Sequence, residues 1–229
     1  MLILATESSA KPASVAVCKN DQLLGQYFQN TALTHSRTLM AMTQSLLKNL
    51  DINVSDIDLF AVSCGPGSFT GVRIGVSAAK GMAWGAGKPI CGVSTLEAIA
   101  YQIPAGDIII CPVMDAKREQ VYNALFKWEN GVLIRKIEDR AISLKELSKE
   151  LRDSDNNYLL VGDGAQMTYE HLTDNDVPCR MAPELLRNQT AYGVALAALN
   201  AEPIEAIALE PSYLRPSQAE RVKNEKESN

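Results

Sequence analysis

Histidine is almost missing: two residues, His35 and His171, stand in 229. They lie far apart, so no HxxxH or HExxH can set two imidazoles one helical turn apart around a metal. The five cysteines, Cys18, Cys64, Cys91, Cys111 and Cys179, include no CxxC pair. That excludes a zinc knuckle or a CxxC dithiol and leaves buried thiols in a reducing compartment. No uncharged apolar run approaches the roughly 18 residues of a membrane span. No basic and then apolar leader precedes the opening MLILA, so a cytoplasmic chain without membrane contact is expected. Positive charge is also scarce: 22 Lys and Arg against 27 Asp and Glu give a formal net charge of -5. Nucleic-acid affinity comes largely from cations that release counterions, so this chain is not expected to be the main docking surface for an RNA.

What is present is an ordinary globular composition, 46% hydrophobic and 21% charged, too apolar for a disordered chain. Residues 2–6 read as a buried strand, and 14–19 with 23–29 as a hairpin through Asn20-Asp21. Residues 36–50 have helical period, 59–64 form a strand, 71–84 a helix, 90–93 a strand, and 95–101 a helix opened by a Ser94-Thr95 cap. The order then restarts. Residues 107–114, 120–128 and 132–142 read as strands with a turn at Glu129-Asn130-Gly131. Ser143 caps a helix to 151, 158–161 is a strand, and 165–172 and 190–200 are helices. Both halves read βββαβα, which predicts a duplicated mixed α/β architecture with a cleft between two lobes. The expected lobes are 1–104 and 105–200, with a loop at 178–188 around Pro183. Residues 201–229 are expected to form a helix packing back and a mobile tail.

Three features carry functional signals. The strand ending at Cys64 runs into Gly65-Pro66-Gly67-Ser68-Phe69-Thr70-Gly71 and then a helix. That is a place where backbone N–H groups meet phosphate, although no Lys-Ser or Lys-Thr follows as in a P-loop. Anion binding and a tight structural turn are both open to it. The helix that follows repeats small residues at Gly71, Gly75, Ala79 and Ala83, with Gly81 and Gly85 on a second line. Each helical Gly costs about 0.8–1 kcal/mol relative to Ala, a loss offset where another backbone comes close, in this chain or in another. In the preceding helix Leu39, Met42, Leu46 and Leu50 form one line, and Met40 and Leu47 widen the apolar stripe to about 160° at 100° per residue. One core face needs about 100°. Either a partner covers the surplus, or the helix is buried between its own sheet and a neighbouring helix.

The run CGPGSFTGVRIGV, residues 64–76, resembles the signature of the TsaB (YeaZ) family, the inactive paralogues of TsaD in N6-threonylcarbamoyladenosine (t6A) synthesis on tRNA. MLILATESS, His35-Ser36, GVSTLEAIA, Asp115-Ala116-Lys117-Arg118, Val121-Tyr122, Val161-Gly162-Asp163-Gly164-Ala165 and Pro211-Ser212-Tyr213-Leu214-Arg215 follow in order, so the likeness spans about the whole chain. It implies an actin-like (ASKHA) fold and a non-catalytic scaffold that heterodimerises with a TsaD-like catalytic subunit and meets a TsaE-like ATPase. It also implies indirect contact with tRNA and a homodimer when alone. The implied interface lies on the two first-lobe helices, through His35, Leu39, Met42, Leu46, Val72, Gly75, Ala79 and Met82. Gly65, Pro66, Gly67, Ser68, Phe69, Thr70, Gly71 and Arg73 form the signature loop. Vestigial nucleotide contacts fall on Glu7, Ser8, Ser9, Gly162, Asp163 and Gly164.

Against an enzyme stand the missing HxxxH of TsaD and Glu7, where actin-like ATPases place a shorter Asp beside the nucleotide's metal; a bond length matters there. No intrinsic cofactor, metal or catalytic residue is expected, ATP or ADP entering only through the complex. The alternative is an independent metal-dependent peptidase or ATP-using kinase of the same superfamily. Ser77-Ala78-Ala79-Lys80 and Ser154-Asp155-Asn156 match SxxK and SDN of penicillin-binding enzymes, but KTG is absent and Ser77 lies within a helix. The cluster Asp115, Lys117, Arg118 and Glu119 reads as a solvated turn. On these grounds Gly75→Leu is expected to remove capture of a TsaD-like partner in a pull-down while the variant still folds.

Overall fold

A computed structural model describes residues 1–154 and 156–215. The first sheet is built from β1 (Leu2–Glu7), β2 (Ala13–Lys19), β3 (Gln22–Gln29), β4 (Leu59–Gly65) and β5 (Ile90–Ser94), in the order β3-β2-β1-β4-β5. β1–β2 and β2–β3 pair antiparallel, while β1–β4 and β4–β5 pair parallel. The second sheet repeats this plan with β6 (Ile109–Asp115), β7 (Gln120–Glu129), β8 (Val132–Ser143), β9 (Tyr158–Val161) and β10 (Cys179–Met181), in the order β10-β9-β6-β7-β8. Again the hairpin strands are antiparallel and β6–β9 and β9–β10 parallel. The predicted duplication is present, and each hairpin turns where an Asn accepts a left-handed backbone, Asn20 at φ 55° and Asn130 at φ 52°.

Helices α1 (His35–Asn49) and α2 (Phe69–Ala86) cover one face of the first sheet. Its other face is covered by α7 (Ala191–Ala198), through Val194, Ala195 and Ala198 against Ile3, Ala5 and Ala61. The segment expected as one lobe, 105–200, therefore sends its last helix back to the first sheet. α3 (Thr95–Tyr101) lies between the sheets, with Leu96, Ile99 and Ala100 against Ile110, Met114 and Phe126. α4 (Leu144–Arg152) and α5 (Ala165–Asp174) close the outer face of the second sheet. The Ser94 and Ser143 hydroxyls accept from the N–H of Glu97 and Glu146, so both predicted caps hold.

Two expectations change. The predicted loop 178–188 contains β10 and a short helix, α6 (Glu184–Arg187). Three strand residues between Pro178 and Pro183 carry no readable period, and pairing with β9 is what extends them. Residues 201–215 hold no α-helix. They run as an extended strap with one 3-10 turn at Ala206–Ala208, in a stretch broken by Pro203 and Pro211. The predicted tail beyond Arg215 lies outside the described residues.

The small-residue line of α2 faces inward. A Cβ on Gly71 would come 2.2 Å from the Ser8 carbonyl oxygen, and one on Gly75 would come 2.5 Å from Ser8 Oγ. Ala79 and Ala83 are buried in the same core. The close neighbour is thus the turn after β1, within this chain. Gly81 and Gly85 have nothing within 4 Å. Gly75→Leu is accordingly expected to lower stability by about 1–3 kcal/mol through overpacking, whereas Gly81→Leu leaves the melting temperature unchanged or slightly raised. Thermal unfolding of the two variants beside the wild type decides it.

Candidate functional site

The signature loop is held from beneath by the turn that follows β1. Ser68 N donates to the Ser9 carbonyl at 2.6 Å, and Ser8 Oγ donates to the Gly71 carbonyl at 2.9 Å. A Cβ on Gly67 would lie 2.4 Å from that same Ser9 oxygen. Ser68 caps α2 by accepting from Gly71 N, and its carbonyl accepts from Val72 N. These donors at the helix start therefore meet oxygens of the same chain. The loop is thus built as a tight turn around its own carbonyls.

Glu7 points into the core at 1% exposure. Its Oε1 accepts from Ser9 N at 2.6 Å, and Oε2 accepts from Ser63 Oγ. Ser9 is equally buried. Burial pushes the Glu7 carboxyl above its ordinary value, and the hydrogen bonds from Ser63 and Ser9, with His35 nearby, offset part of the rise. His35 opens α1 with Nε2 2.8 Å from the Ala10 carbonyl, a geometry in which Nε2–H donates.

In the second lobe, Gly162 N donates to the Arg187 carbonyl and Gly164 N to the Val113 carbonyl, at 2.8 and 3.1 Å. The C-terminal end of α6 thus meets the turn whose expected role was adenosine contact. The carboxyl of Asp163 accepts from Gln189 Nε2 at 2.9 Å. Desolvation raises its pKa; Gln189 opposes the rise and Asp115 adds to it. Six predicted nucleotide contacts, Glu7, Ser8, Ser9, Gly162, Asp163 and Gly164, thus serve internal bonds or stand beside negative charge. Among the described residues no group of three or more His, Cys, Asp or Glu is placed to hold a metal.

The predicted interface residues divide. Leu39, Met42, Leu46, Val72, Gly75 and Ala79 are buried in the first-lobe core. Met82 lines an open groove between α1 and α2, about 740 Å³, with Met40, Ala41, Gln44, Leu47 and Val54. Met40 is 47% exposed and Trp84 76%. The exposed residues of α2 are Thr70, Arg73, Ser77, Gly81, Trp84 and Gly85, with half-buried Ala78 and Met82 beside them. Residue type alone misses this, because the inner and outer small-residue lines share the same four-residue spacing.

The strap was not foreseen as part of the site. Ser212 N donates to the Cys64 carbonyl at 2.7 Å. Gly65, at φ 126°, has the Ser212 carbonyl where a Cβ would stand, 2.1 Å away. Only glycine fits there. The Arg73 guanidinium lies 3.7 Å over the Phe69 ring, and its Nε donates to Tyr213 Oη at 2.8 Å. Lys80, the lysine of the SxxK match, donates to the Ile207 and Leu209 carbonyls at 3.0 and 2.7 Å. Pro211-Ser212-Tyr213-Leu214-Arg215 was the available signal, and its complement is the signature loop.

Beyond the strap lies the turn between β6 and β7. Lys117, Arg118 and Glu119 have φ of 65°, 57° and 55°. A non-glycine residue in this region costs of order 1–3 kcal/mol. Asp115 accepts from Lys117 N at 2.7 Å, and Arg215 Nη1 donates to the Ala116 carbonyl at 3.0 Å.

A family model described as TsaD, tRNA N6-adenosine threonylcarbamoyltransferase, matches residues 25–220. The tRNA threonylcarbamoyladenosine biosynthesis protein TsaB of Bacillus subtilis is 31% identical, covering 96% of each chain. The protein of the same name from Escherichia coli is 30% identical over 89% of this chain and 94% of its own. Among solved structures, YeaZ from Pseudomonas aeruginosa aligns with a TM-score of 0.77 at 22% identity, over 93% of this chain and 99% of that one. The ethanolamine utilization protein EutJ of Carboxydothermus hydrogenoformans, at 12% identity, aligns with a TM-score of 0.51 over 86% and 90%. The actin-like fold is shared with these structures.

Glu7 yields a prediction about pH. Its folded pKa lies above the value of 4.5 it has when unfolded. As pH rises past 4.5 the unfolded chain loses a proton that the folded state still holds, so the contribution of Glu7 to stability falls until pH passes the folded pKa. Glu7→Gln, which can still accept from Ser9 N and donate to Ser63 Oγ, is expected to remove this fall and raise neutral-pH stability. Denaturant unfolding at a series of pH values tests it, and an unchanged slope would count against it.

Proposed function

The chain belongs to the TsaB branch of the TsaD family, and from that premise we propose that it is a non-catalytic scaffold of tRNA t6A synthesis. It docks a TsaD-like catalytic subunit on the open faces of α1 and α2. The observation carrying this reading is the pair Gly81 and Gly85, with nothing within 4 Å. Two helical glycines cost about 0.8–1 kcal/mol each relative to Ala, and no contact within the chain offsets it. Beside them lies the groove of Met40 and Met82, apolar relief on which a partner's helices gain area while their backbone approaches α2 closely. The same surface serves the homodimer when the catalytic subunit is absent.

The remaining parts of the assembly follow from what this chain lacks. At net charge -5 the scaffold leaves tRNA to its partners. A TsaE-like ATPase supplies nucleotide chemistry, since the phosphate-facing turns here are engaged internally. Against the rival reading, an independent metal-dependent peptidase or kinase, stand the places of the two histidines. His35 is tied to Ala10, and His171 lies in α5 of the other lobe.

The test is capture of the TsaD-like subunit from the same organism. Gly81→Leu and Met40→Asp are expected to weaken it at least about tenfold, a loss of about 1.4 kcal/mol, with wild-type melting temperatures. Full capture by both folded variants would exclude this face. No capture by the wild-type chain would remove the scaffold reading itself.

A further inference from the structure

The strap runs from the edge of the first sheet along α2 to the turn between β6 and β7. At its start Ile204 pairs with Ile90 in both directions, at 3.0 and 2.9 Å, along the edge of the first sheet. Lys80 then holds it along α2 through the Ile207 and Leu209 carbonyls. Phe69 and Arg73 hold Tyr213. Its last described residue, Arg215, reaches across to the Ala116 carbonyl in the second lobe. The strap is also visible from outside. Ile207, 76% exposed, shares with Trp84 a second groove of about 510 Å³, bounded by Pro89, Pro203 and Ile204. Trp84 belongs to the free face of α2, so an occupant of that face lies against the strap.

We propose that residues 203–215 couple the partner-facing surface of α2 to the turn Ala116–Gln120, so that seating a partner on α2 changes how firmly that turn is held. The proposal rests on the docking reading above and adds to it a route. The turn is suited to respond, since Lys117, Arg118 and Glu119 are all held in the left-handed region. Such a conformation persists only while its surroundings enforce it. One of those supports is Arg215, delivered by the strap. Linkage is reciprocal: what the partner does to the turn, the turn does to partner affinity. Such coupling needs an element with two arrangements that both ends bias, and in this proposal the strained turn takes that part.

Hydrogen exchange of the backbone amides of Ala116, Lys117 and Gln120 reads the turn, because each donates within it, to Gln120 O, Asp115 Oδ1 and Lys117 O. In the isolated chain Arg215→Ala sets the maximum effect, an increase of ~10-fold in exchange. Tyr213→Ala and Lys80→Ala, which touch the strap and not the turn, are expected to reach a substantial part of that increase. Tyr213→Phe, which keeps the ring and loses the bond to Arg73, falls between. Wild-type exchange in both strap variants, with Arg215→Ala raised, would overturn the coupling; so would no change in Arg215→Ala. In a second arm the TsaD-like subunit is added. The wild-type turn is expected to change its exchange at least threefold on binding, and Arg215→Ala to bind without that change. Binding with no change at the turn in the wild type sinks the proposal. If no binding occurs, the docking reading fails, while the isolated-chain arm still decides whether the strap couples its two ends.

Discussion

The structure hangs on one close approach: the turn after β1 lies directly under the start of α2. Backbone meets backbone there, Ser9 carbonyl to Ser68 N and Ser8 hydroxyl to Gly71 carbonyl, and three glycines make the space. A methyl at Gly67, Gly71 or Gly75 would fall within 2.5 Å of Ser8 or Ser9, well inside van der Waals contact. Because α2 is fixed this way, its opposite side is presented to solvent at a defined height, and the signature loop is turned toward the strap.

The same approach ties up several groups at the positions where the family resemblance placed nucleotide contacts. Ser68 N and Gly71 N in the loop, the Glu7 carboxylate, and Gly162 N and Gly164 N in the second lobe all bond within the chain. Glu7, one methylene longer than Asp, folds inward to Ser63 instead of reaching the cleft. A buried carboxylate with hydroxyl and amide partners is held at the cost of a raised pKa. What the fold retains is its duplicated plan. What it presents outward is a helix face.

Much of the architecture was legible because its signals are local. The two Asn turns, the Ser caps and the alternating strands each act within a few residues, and both βββαβα halves follow. The candidate site was harder to read. Small residues at Gly71, Gly75 and Ala79 carry the same spacing whether the neighbour is a partner or the chain's own Ser8, and burial decides only once the sheet is built. The strap is invisible for a related reason: Ser212 meets Cys64 and Arg215 meets Ala116 across long stretches of sequence, and neither contact has a period. The motif that resembled a family was readable, while the contact that explains its glycine at position 65 was not.

The return of α7 to the first sheet has a consequence in time. Ile3, Ala5, Leu59 and Ala61 are fully assembled into strands by the first 94 residues, yet the helix that covers them comes at residues 191–198. A chain emerging from the ribosome therefore carries an open apolar sheet face through the synthesis of the whole second lobe. At about 5–20 residues per second that interval lasts seconds, far longer than helix formation or collapse. The two lobes are alike in plan and unequal in timing: the second sheet packs on α3, made before it, and on α4 and α5, whereas the first waits for residues 191–198.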